Sequence, residues 1–452
     1  MGRLFGTDGA RGVAITELTC ETAMNIGRAA AIVLTKHKPA SEKARIIIGK
    51  DTRISSDILE AALISGIMSV GADVELLGVV PTPAVAYLVR YLDADAGIMI
   101  SASHNTVEYN GIKLFAGTGF KLPDEVENEI EALILDTPEK MKLKNGTTVG
   151  RMKINENAAN LYVEHLLSTT NANIKPIKVL VDCANGSSSR TARKLFTGLN
   201  VDFDIVNAEP DGCNINEGCG STHVEQLCDK VVKGGYDLAV SFDGDADRCL
   251  AVDNNGKIVD GDKLIAIISN KMKNNTSLRN NTAVVTVMSN LGFHTYMKNN
   301  GINTVCTAVG DRYVLEEMLK NGYNIGGEQS GHIIFLDYAT TGDGQLTAVQ
   351  LIELLAETKT KLSDLISGIP DYPQILENIR ITDDKKGLWN KNEKILSVIG
   401  EAETAMGNDG RILVRESGTE PLVRVMIEGK SAEEVRSWTD RISDCIRSEL
   451  CK

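Results

Sequence analysis

No uninterrupted apolar stretch in the 452 residues approaches the roughly 20 that a membrane-spanning helix needs. The opening "MGRLFGTDGARG" lacks the charged n-region and apolar h-region of a secretory signal, and position 6 is Gly where a myristoylation signal needs Ser or Thr. Basic residues are in the minority, 48 Lys and Arg against 61 Asp and Glu. The resulting net charge of −13 argues against nucleic acid or an anionic membrane surface as the main partner. An anionic ligand would therefore need basic residues gathered locally at its site. Disulfide patterning is also missing. Nine cysteines, an odd number at irregular spacing, read as reduced thiols of a cytoplasmic protein. Cys213, Cys219, His223 and Cys228 crowd together, but without a C-x-x-C pair they argue poorly for structural zinc. Aromatic residues are scarce at 4%, while 42% hydrophobic and 24% charged residues are the composition of a soluble globular protein.

Short β-rich runs alternate with helical patterns along most of the chain. Strands are expected at Arg45–Ile48, Val74–Val79, Ala96–Ile100, Lys178–Val181, Asp237–Phe242, Ala283–Val287 and Ile333–Leu336. Amphipathic stretches such as Asp57–Val70, Pro81–Tyr91 and Gly310–Asn321 lie between them. Such alternation implies βαβ units with mostly parallel sheets, which bind ligands beyond the carboxyl ends of their strands. The length exceeds what one hydrophobic core serves. Breaks in the pattern suggest four domains: 1–150, 151–255, 256–368 and 369–452. The polar, lysine-rich "DTPEKMKLKNGTTVGRMK" marks the first break, and "SGIPDYPQILE", a stiff two-proline linker, marks the last. The final segment, with strands near Ile375–Ile381, Gly410–Arg415 and Val423–Glu428, reads as a small α+β domain.

Four polar clusters interrupt this apolar framework, one in each expected domain. "SASHN" follows the run Gly97–Ile100, with "NGIK" and its Lys113 close behind. A hydroxyl at a strand end can accept a phosphoryl group, yet the same letters serve equally as a helix cap or an Asx-turn. "LAVSFDGDADR" carries Asp243, Asp245 and Asp247 after another apolar run. Three adjacent carboxylates repel unless a cation joins them, and hard oxygen ligands favour Mg²⁺, with Ca²⁺ or Mn²⁺ as alternatives. An EF-hand is excluded, because Arg248 holds its glycine position and Asn254 its terminal glutamate position. A solvated acidic turn stays open. "IGGEQSGHIIF" offers Glu328 and Ser330 to a polar ligand and His332 for proton transfer, or is merely a glycine-rich turn. "VRESGTEPLVRV" places Ser417, Gly418 and Thr419 between Arg415 and Arg424, a combination suited to a phosphate dianion. Arg11, Lys113, Arg248 and Arg312 supply the local positive charge. Neither a GxxxxGK[ST] loop nor a convincing G-x-G-x-x-G is found, so phosphoryl chemistry here would not draw on bound ATP.

The succession "FGTDGARG", "ISASHN", "DGDADR", "GDRYVLE", "GGEQSGH" and "RESGTEPLVRVMIEG" resembles the α-D-phosphohexomutase superfamily over essentially the whole chain. The resemblance implies three consecutive α/β domains with mixed, mostly parallel sheets plus a smaller C-terminal α+β domain, around a central cleft. It implies that Ser103, and not Ser101, carries a phosphate and shares one Mg²⁺ with Asp243, Asp245 and Asp247. The phosphoserine would donate to a sugar monophosphate, and the sugar 1,6-bisphosphate would turn around and return its other phosphate to Ser103. The same bisphosphate serves as activator. Lys113 and His332 would move protons, and Arg11 and His104 would orient the phosphoserine. Glu328, Ser330, Arg248 and Arg312 would meet the sugar, and Arg415, Ser417, Gly418, Thr419 and Arg424 the non-reacting phosphate. "GEQSGH" with "SGTEP" is similar to the branch acting on glucosamine phosphate more than to the mannose and glucose branch, which is the alternative. A homodimer, a cytoplasmic location and a role in cell-wall precursor synthesis follow from the same resemblance. Two positions depart from the family pattern: Thr106 replaces proline, relaxing a backbone restraint, and Ala246 replaces glycine, which calls for a dihedral an L-residue tolerates and hence a mild loop shift. A phosphatase, or a sugar-phosphate binding protein without turnover, would use similar clusters.

Overall fold

A computed structural model describes residues 3–6, 8–39, 42–170, 174, 177–416 and 421–451. The chain divides into two compact units, one of residues 1–288 and 301–367, the other of residues 289–300 and 368–452. Among the described residues no helix is long and apolar enough to cross a membrane. All nine cysteines are free thiols.

Among the described residues the larger unit contains three mixed sheets. The first has six strands in the order Ala10–Val13, Tyr109–Ala116, Ala96–Ile100, Arg45–Lys50, Asp73–Val79 and Met152–Ile154. Its central strands run parallel, and Ile46, Ile47 and Ile48 are fully buried, as expected for a strand covered on both faces. Helices Cys20–Leu34 and Ser55–Ser69 pack on each other so closely that a Cβ on Gly66 would lie 2.1 Å from the Met24 carbonyl oxygen. The lysine-rich segment read as a separator ends in a strand. Met152–Ile154 pairs in parallel with Val74–Leu76 and belongs to the first sheet. Its three residues are exposed, so no apolar periodicity marks it.

The second sheet orders Ile258–Val259, Cys249–Asp253, Leu238–Phe242, Lys178–Asp182 and Asp202–Val206. Leu238–Phe242 is parallel to Lys178–Asp182 and antiparallel to Cys249–Asp253, so the loop between 242 and 249 is a hairpin connection at a carboxyl end. The third sheet orders Asn303–Thr307, Thr282–Thr286, Ile325–Gly327 and Ile333–Phe335. Its last two strands form a hairpin whose turn holds Glu328 to His332.

In the smaller unit, Gln374–Arg380, Leu422–Gly429 and Gly410–Glu416 form an antiparallel sheet. Helices Glu393–Met406 and Ala432–Leu450 cover it through a core including Ile379, Ile395, Val425, Ile427, Ile442 and Ile446.

Candidate active site

Ala96–Ile100 is buried at every position, and its polarity changes abruptly at Ser101. The Ser101 hydroxyl donates to Asp51 Oδ2 at 2.7 Å and accepts the Ser103 N–H at 2.9 Å. Arg53, paired with Asp51 at 2.9 Å, donates to the carbonyls of Ser103 and Asn105 at 3.0 and 2.8 Å. Asn216 donates to the same two carbonyls, each at 2.9 Å. This network holds Ser103 at φ +53°, a left-handed conformation costing a side chain on the order of 1–2 kcal/mol. Strain of this kind persists only where neighbours overdetermine it. Here it turns the Ser103 hydroxyl to donate to Asp243 Oδ2 at 2.7 Å. Ser101 is the supporting residue and Ser103 the presented one.

Asp243, Asp245 and Asp247 follow the buried strand Leu238–Phe242, and their carboxylates offer oxygens that all lie within 4.8 Å of one another. Asp243 and Asp245 are fully buried, and Asp247 nearly so. Asp245 Oδ2 accepts from Lys113 Nζ at 2.8 Å and from the Thr82 hydroxyl, while Oδ1 is buried with no partner. Asp247 Oδ2 faces Lys113 at 3.4 Å and His332 Nδ1 at 3.6 Å, and its Oδ1 also lacks a hydrogen bond. Burial, with Asp247 and Asp245 beside it, pushes the Asp243 pKa up to about 8. Two orphaned carboxylate oxygens among three crowded acids are the donor set a hard divalent cation satisfies. The site fits Mg²⁺.

The loop's two small residues are there for space and shape. A Cβ on Gly244 would lie 2.6 Å from the Ser103 carbonyl oxygen. Ala246 sits at φ +55°, so the expected accommodation to an L-residue dihedral does not occur. Its N–H donates to the Asp243 carbonyl and its carbonyl accepts the Gly344 N–H, each at 3.0 Å, and these bonds hold the left-handed turn against its steric cost.

Around the acids runs a closed ring of alternating charge. Lys113 pairs with Asp8 at 3.0 Å, Asp8 with Lys121 at 2.7 Å, and Lys121 with Asp311 at 2.6 Å. Asp311 faces His332 Nε2 at 3.5 Å, and His332 and Lys113 meet again at Asp247. Burial alone would lower the Lys113 pKa, but Asp245, Asp8 and Asp247 reverse this and hold the ammonium well above its ordinary range. Lys113 is thus a fixed cation. Burial alone would lower the His332 pKa, but Asp247 on its Nδ1 side and Asp311 on its Nε2 side raise it above 6.5, and the Gly342 N–H also meets Nε2 at 3.1 Å.

The remaining expected residues are placed unevenly. Arg11 pairs with Asp8 at 2.8 Å. His104 Nδ1 lies 3.4 Å from Ser103 Oγ, and burial followed by Arg248 and Arg11 lowers its pKa to about 4, so the ring is neutral. The Arg248 backbone N–H donates to Asp243 Oδ1 at 3.2 Å, and its Nε, buried without a hydrogen bond, lies 3.9 Å from Asp247 Oδ1. Glu328 is half-buried, accepts the Gly310 N–H at 3.2 Å and is raised in pKa chiefly by burial; Ser330 is exposed. Arg312 is engaged by Asp124 and Glu316. In the smaller unit Arg415 stands opposite Arg424 across two strands, whereas Ser417, Gly418 and Thr419 lie outside the described residues. Sequence reading passed over Asp8, Asp51, Arg53, Thr82, Lys121 and Asn216. Asp8 stands inside the quoted "GTDGARG", but nothing in the sequence marks Lys121 or Thr82 as buried.

Comparison with known proteins agrees with this geometry. Family models described as phosphoglucomutase/phosphomannomutase match in four successive pieces. Alpha/beta/alpha domains I, II and III match residues 2–141, 160–256 and 260–372, and the C-terminal domain matches 376–444. The chain belongs to this family, the α-D-phosphohexomutase superfamily of isomerases. Curated relatives include the phosphoglucosamine mutase of Acetivibrio thermocellus, 52% identical over all of both chains, and that of Brevibacillus brevis, 50% identical over all of both. Among solved structures, a phosphoglucomutase/phosphomannomutase family protein from Burkholderia thailandensis superposes with a TM-score of 0.82 at 23% identity, covering 99% of each chain. The Aspergillus fumigatus N-acetylphosphoglucosamine mutase, solved with GlcNAc-6P and magnesium, gives 0.71 at 17% identity over 98% of this chain and 95% of its own. At such identities these two establish the fold alone.

Proposed function

We propose that the protein interconverts glucosamine 6-phosphate and glucosamine 1-phosphate through a phosphoserine at Ser103 and a sugar 1,6-bisphosphate that also serves as activator. The observation that carries this reading is the Ser103 hydroxyl, held by a strained backbone 2.7 Å from one member of a buried aspartate triad. Family membership and relatives at half identity supply the reaction class. Asp243, Asp245 and Asp247 would hold one Mg²⁺, which when bound neutralises charge on the transferring phosphoryl group.

Chain residues do the rest. The substrate hydroxyl oxygen attacks the Ser103 phosphorus, the bond from phosphorus to Ser103 Oγ breaks, and the proton lost by the substrate, relayed through His332, restores Ser103 as a hydroxyl donating to Asp243. Lys113, a buried ammonium, stabilises the developing charge, and His332, held between Asp247 and Asp311, carries the proton. Neutral His104 and Arg11 orient the phosphoserine. Glu328 and Ser330 bind sugar hydroxyls in either orientation, with Arg248 and Arg312 beside them. Arg415 and Arg424, together with Ser417, Gly418 and Thr419, hold the phosphate that does not react. We place the four domains at 1–150, 151–255, 256–368 and 369–452, with the first sheet's last strand just past the first boundary. We also assign a homodimer in the cytoplasm that supplies amino sugar for cell-wall precursors.

Phosphorus NMR tests the reaction. Purified protein receives Mg²⁺, a trace of sugar bisphosphate and glucosamine 6-phosphate, with glucose 6-phosphate and mannose 6-phosphate in parallel. Glucosamine 1-phosphate forming fastest, and only with Ser103 intact, supports the reading. Faster conversion of glucose or mannose phosphate would move the substrate to the phosphoglucomutase/phosphomannomutase branch, and free phosphate alone would make it a phosphatase.

A further inference from the structure

Thr82 is fully buried in the first turn of helix Thr82–Tyr91 and is not among the groups that reach a substrate. It nevertheless holds Asp245 at both ends. Its backbone N–H donates to the Asp245 carbonyl at 2.9 Å, and its hydroxyl donates to Asp245 Oδ2 at 2.5 Å. Among the described residues Lys113 is the only other donor to that oxygen, and it divides its charge among Asp245, Asp8 and Asp247. A hydroxyl has one proton to give. Given to Oδ2, it stops the carboxylate from rotating, and it leaves Oδ1 as the buried oxygen without a partner.

We infer that Thr82 is a positioning residue for the metal site: it selects Asp245 Oδ1 as the oxygen that faces the cation. The inference rests on the reading of the aspartate triad as a metal site. The physical reason is rotational. Without the hydroxyl, Asp245 Oδ2 keeps only Lys113, and either oxygen can turn to the ammonium. The cation then meets a carboxylate that must be reoriented before it binds. Helix geometry adds to the effect, because the positive end of Thr82–Tyr91 lies against the Asp245 main chain. The arrangement also ties the first sheet, which carries Ser103, to the loop of the second that carries the triad.

Valine keeps the shape of threonine and removes only the hydroxyl, whereas serine keeps the hydroxyl. Mn²⁺ is the probe, titrated into the full-length chain with free Mn²⁺ read by electron paramagnetic resonance. Thr82→Val should weaken Mn²⁺ binding about ten- to hundredfold, the usual effect of losing a partner that orients a metal ligand. Thr82→Ser should stay within about threefold of the parent. In kinetics, Thr82→Val should raise the Mg²⁺ concentration for half-maximal turnover and leave KM for the sugar phosphate unchanged. Parental Mn²⁺ affinity in Thr82→Val, or equal losses in both variants, overturns the role of Thr82. If Thr82→Val does not fold, Thr82→Ala provides the same comparison, and parental affinity there is equally fatal. No Mn²⁺ binding by the parent, or binding indifferent to Asp247→Asn, would instead overturn the metal reading itself.

Discussion

Arg415 and Arg424 stand directly opposite each other on antiparallel strands of the small sheet, two like charges in cross-strand register. Such a pair is destabilising by itself. Burial and then Arg424 lower the Arg415 pKa, and Arg424 Nε is buried without a hydrogen bond. An anion between the two guanidinium groups would relieve that repulsion through charge-assisted hydrogen bonds.

Arg424→Gln should therefore separate stability from function. The unliganded variant should melt at or slightly above the parental temperature, because a repulsion is removed. Its KM for the sugar phosphate should rise roughly tenfold or more, the worth of a charge-assisted hydrogen bond. Added inorganic phosphate should raise the melting temperature of the parent and do less for the variant. An unchanged KM would remove this pair from the phosphate site.

Ser103→Ala should reduce turnover by several orders of magnitude, since among the described residues no other hydroxyl is held against Asp243. Incubation with phosphorus-labelled sugar bisphosphate should label the parent protein and leave the variant unlabelled. Mn²⁺ binding should persist in Ser103→Ala, because all three carboxylates are intact. Labelled Ser103→Ala protein would move the phosphate to another residue.

Lys121 joins Asp8 to Asp311 inside the charge ring, and both carboxylates keep low pKa values against the pull of burial because of it and its neighbours. Lys121→Met should cost about 3–5 kcal/mol, the penalty for leaving buried charge uncompensated. Adding Asp311→Asn to Lys121→Met should restore part of that loss, since one stranded carboxylate is gone. Urea unfolding of the parent, the single variant and the double variant measures both effects. A double variant less stable than the single one would show that the ring is not held by this pairing.

Much of this architecture was legible because periodicity and polarity change together. Ala96–Ile100 and Asp57–Val70 could be located from their apolar patterns, and the observed elements, Ala96–Ile100 and Ser55–Ser69, agree within two residues. Met152–Ile154 was not legible, since an exposed edge strand of three residues carries no alternating signal. The aspartates and Ser103 stood out as polar letters ending apolar runs. Thr82, Lys121 and Asn216 did not, because their importance lies in partners more than 100 residues away in the chain. Ala246 shows the reverse limit. The sequence identified an unusual residue, but only the hydrogen bonds of Ala246, given to the Asp243 carbonyl and accepted from the Gly344 N–H, decide that the loop keeps its left-handed turn.

His294 provides a test of stability that is independent of the catalytic groups. It lies on helix Leu291–Asn299 of the smaller unit, edge-on to Phe293 with ring centroids 5.2 Å apart. Burial, and then the nearby Arg411 charge, lowers its pKa from 6.5 to about 4. Between those values the unfolded chain binds a proton that the folded chain refuses. Stability should therefore fall as the pH drops from 6.5 toward 4, and this group should contribute no slope above 6.5. His104 and His165, also lowered mainly by burial, act in the same direction, so replacing His294 should reduce the slope without abolishing it. Melting temperatures of the parent and His294→Gln at pH 7 and pH 5 give the comparison. The drop on acidification should be smaller in the variant, and equal drops would mean that His294 titrates alike in the folded and unfolded chain.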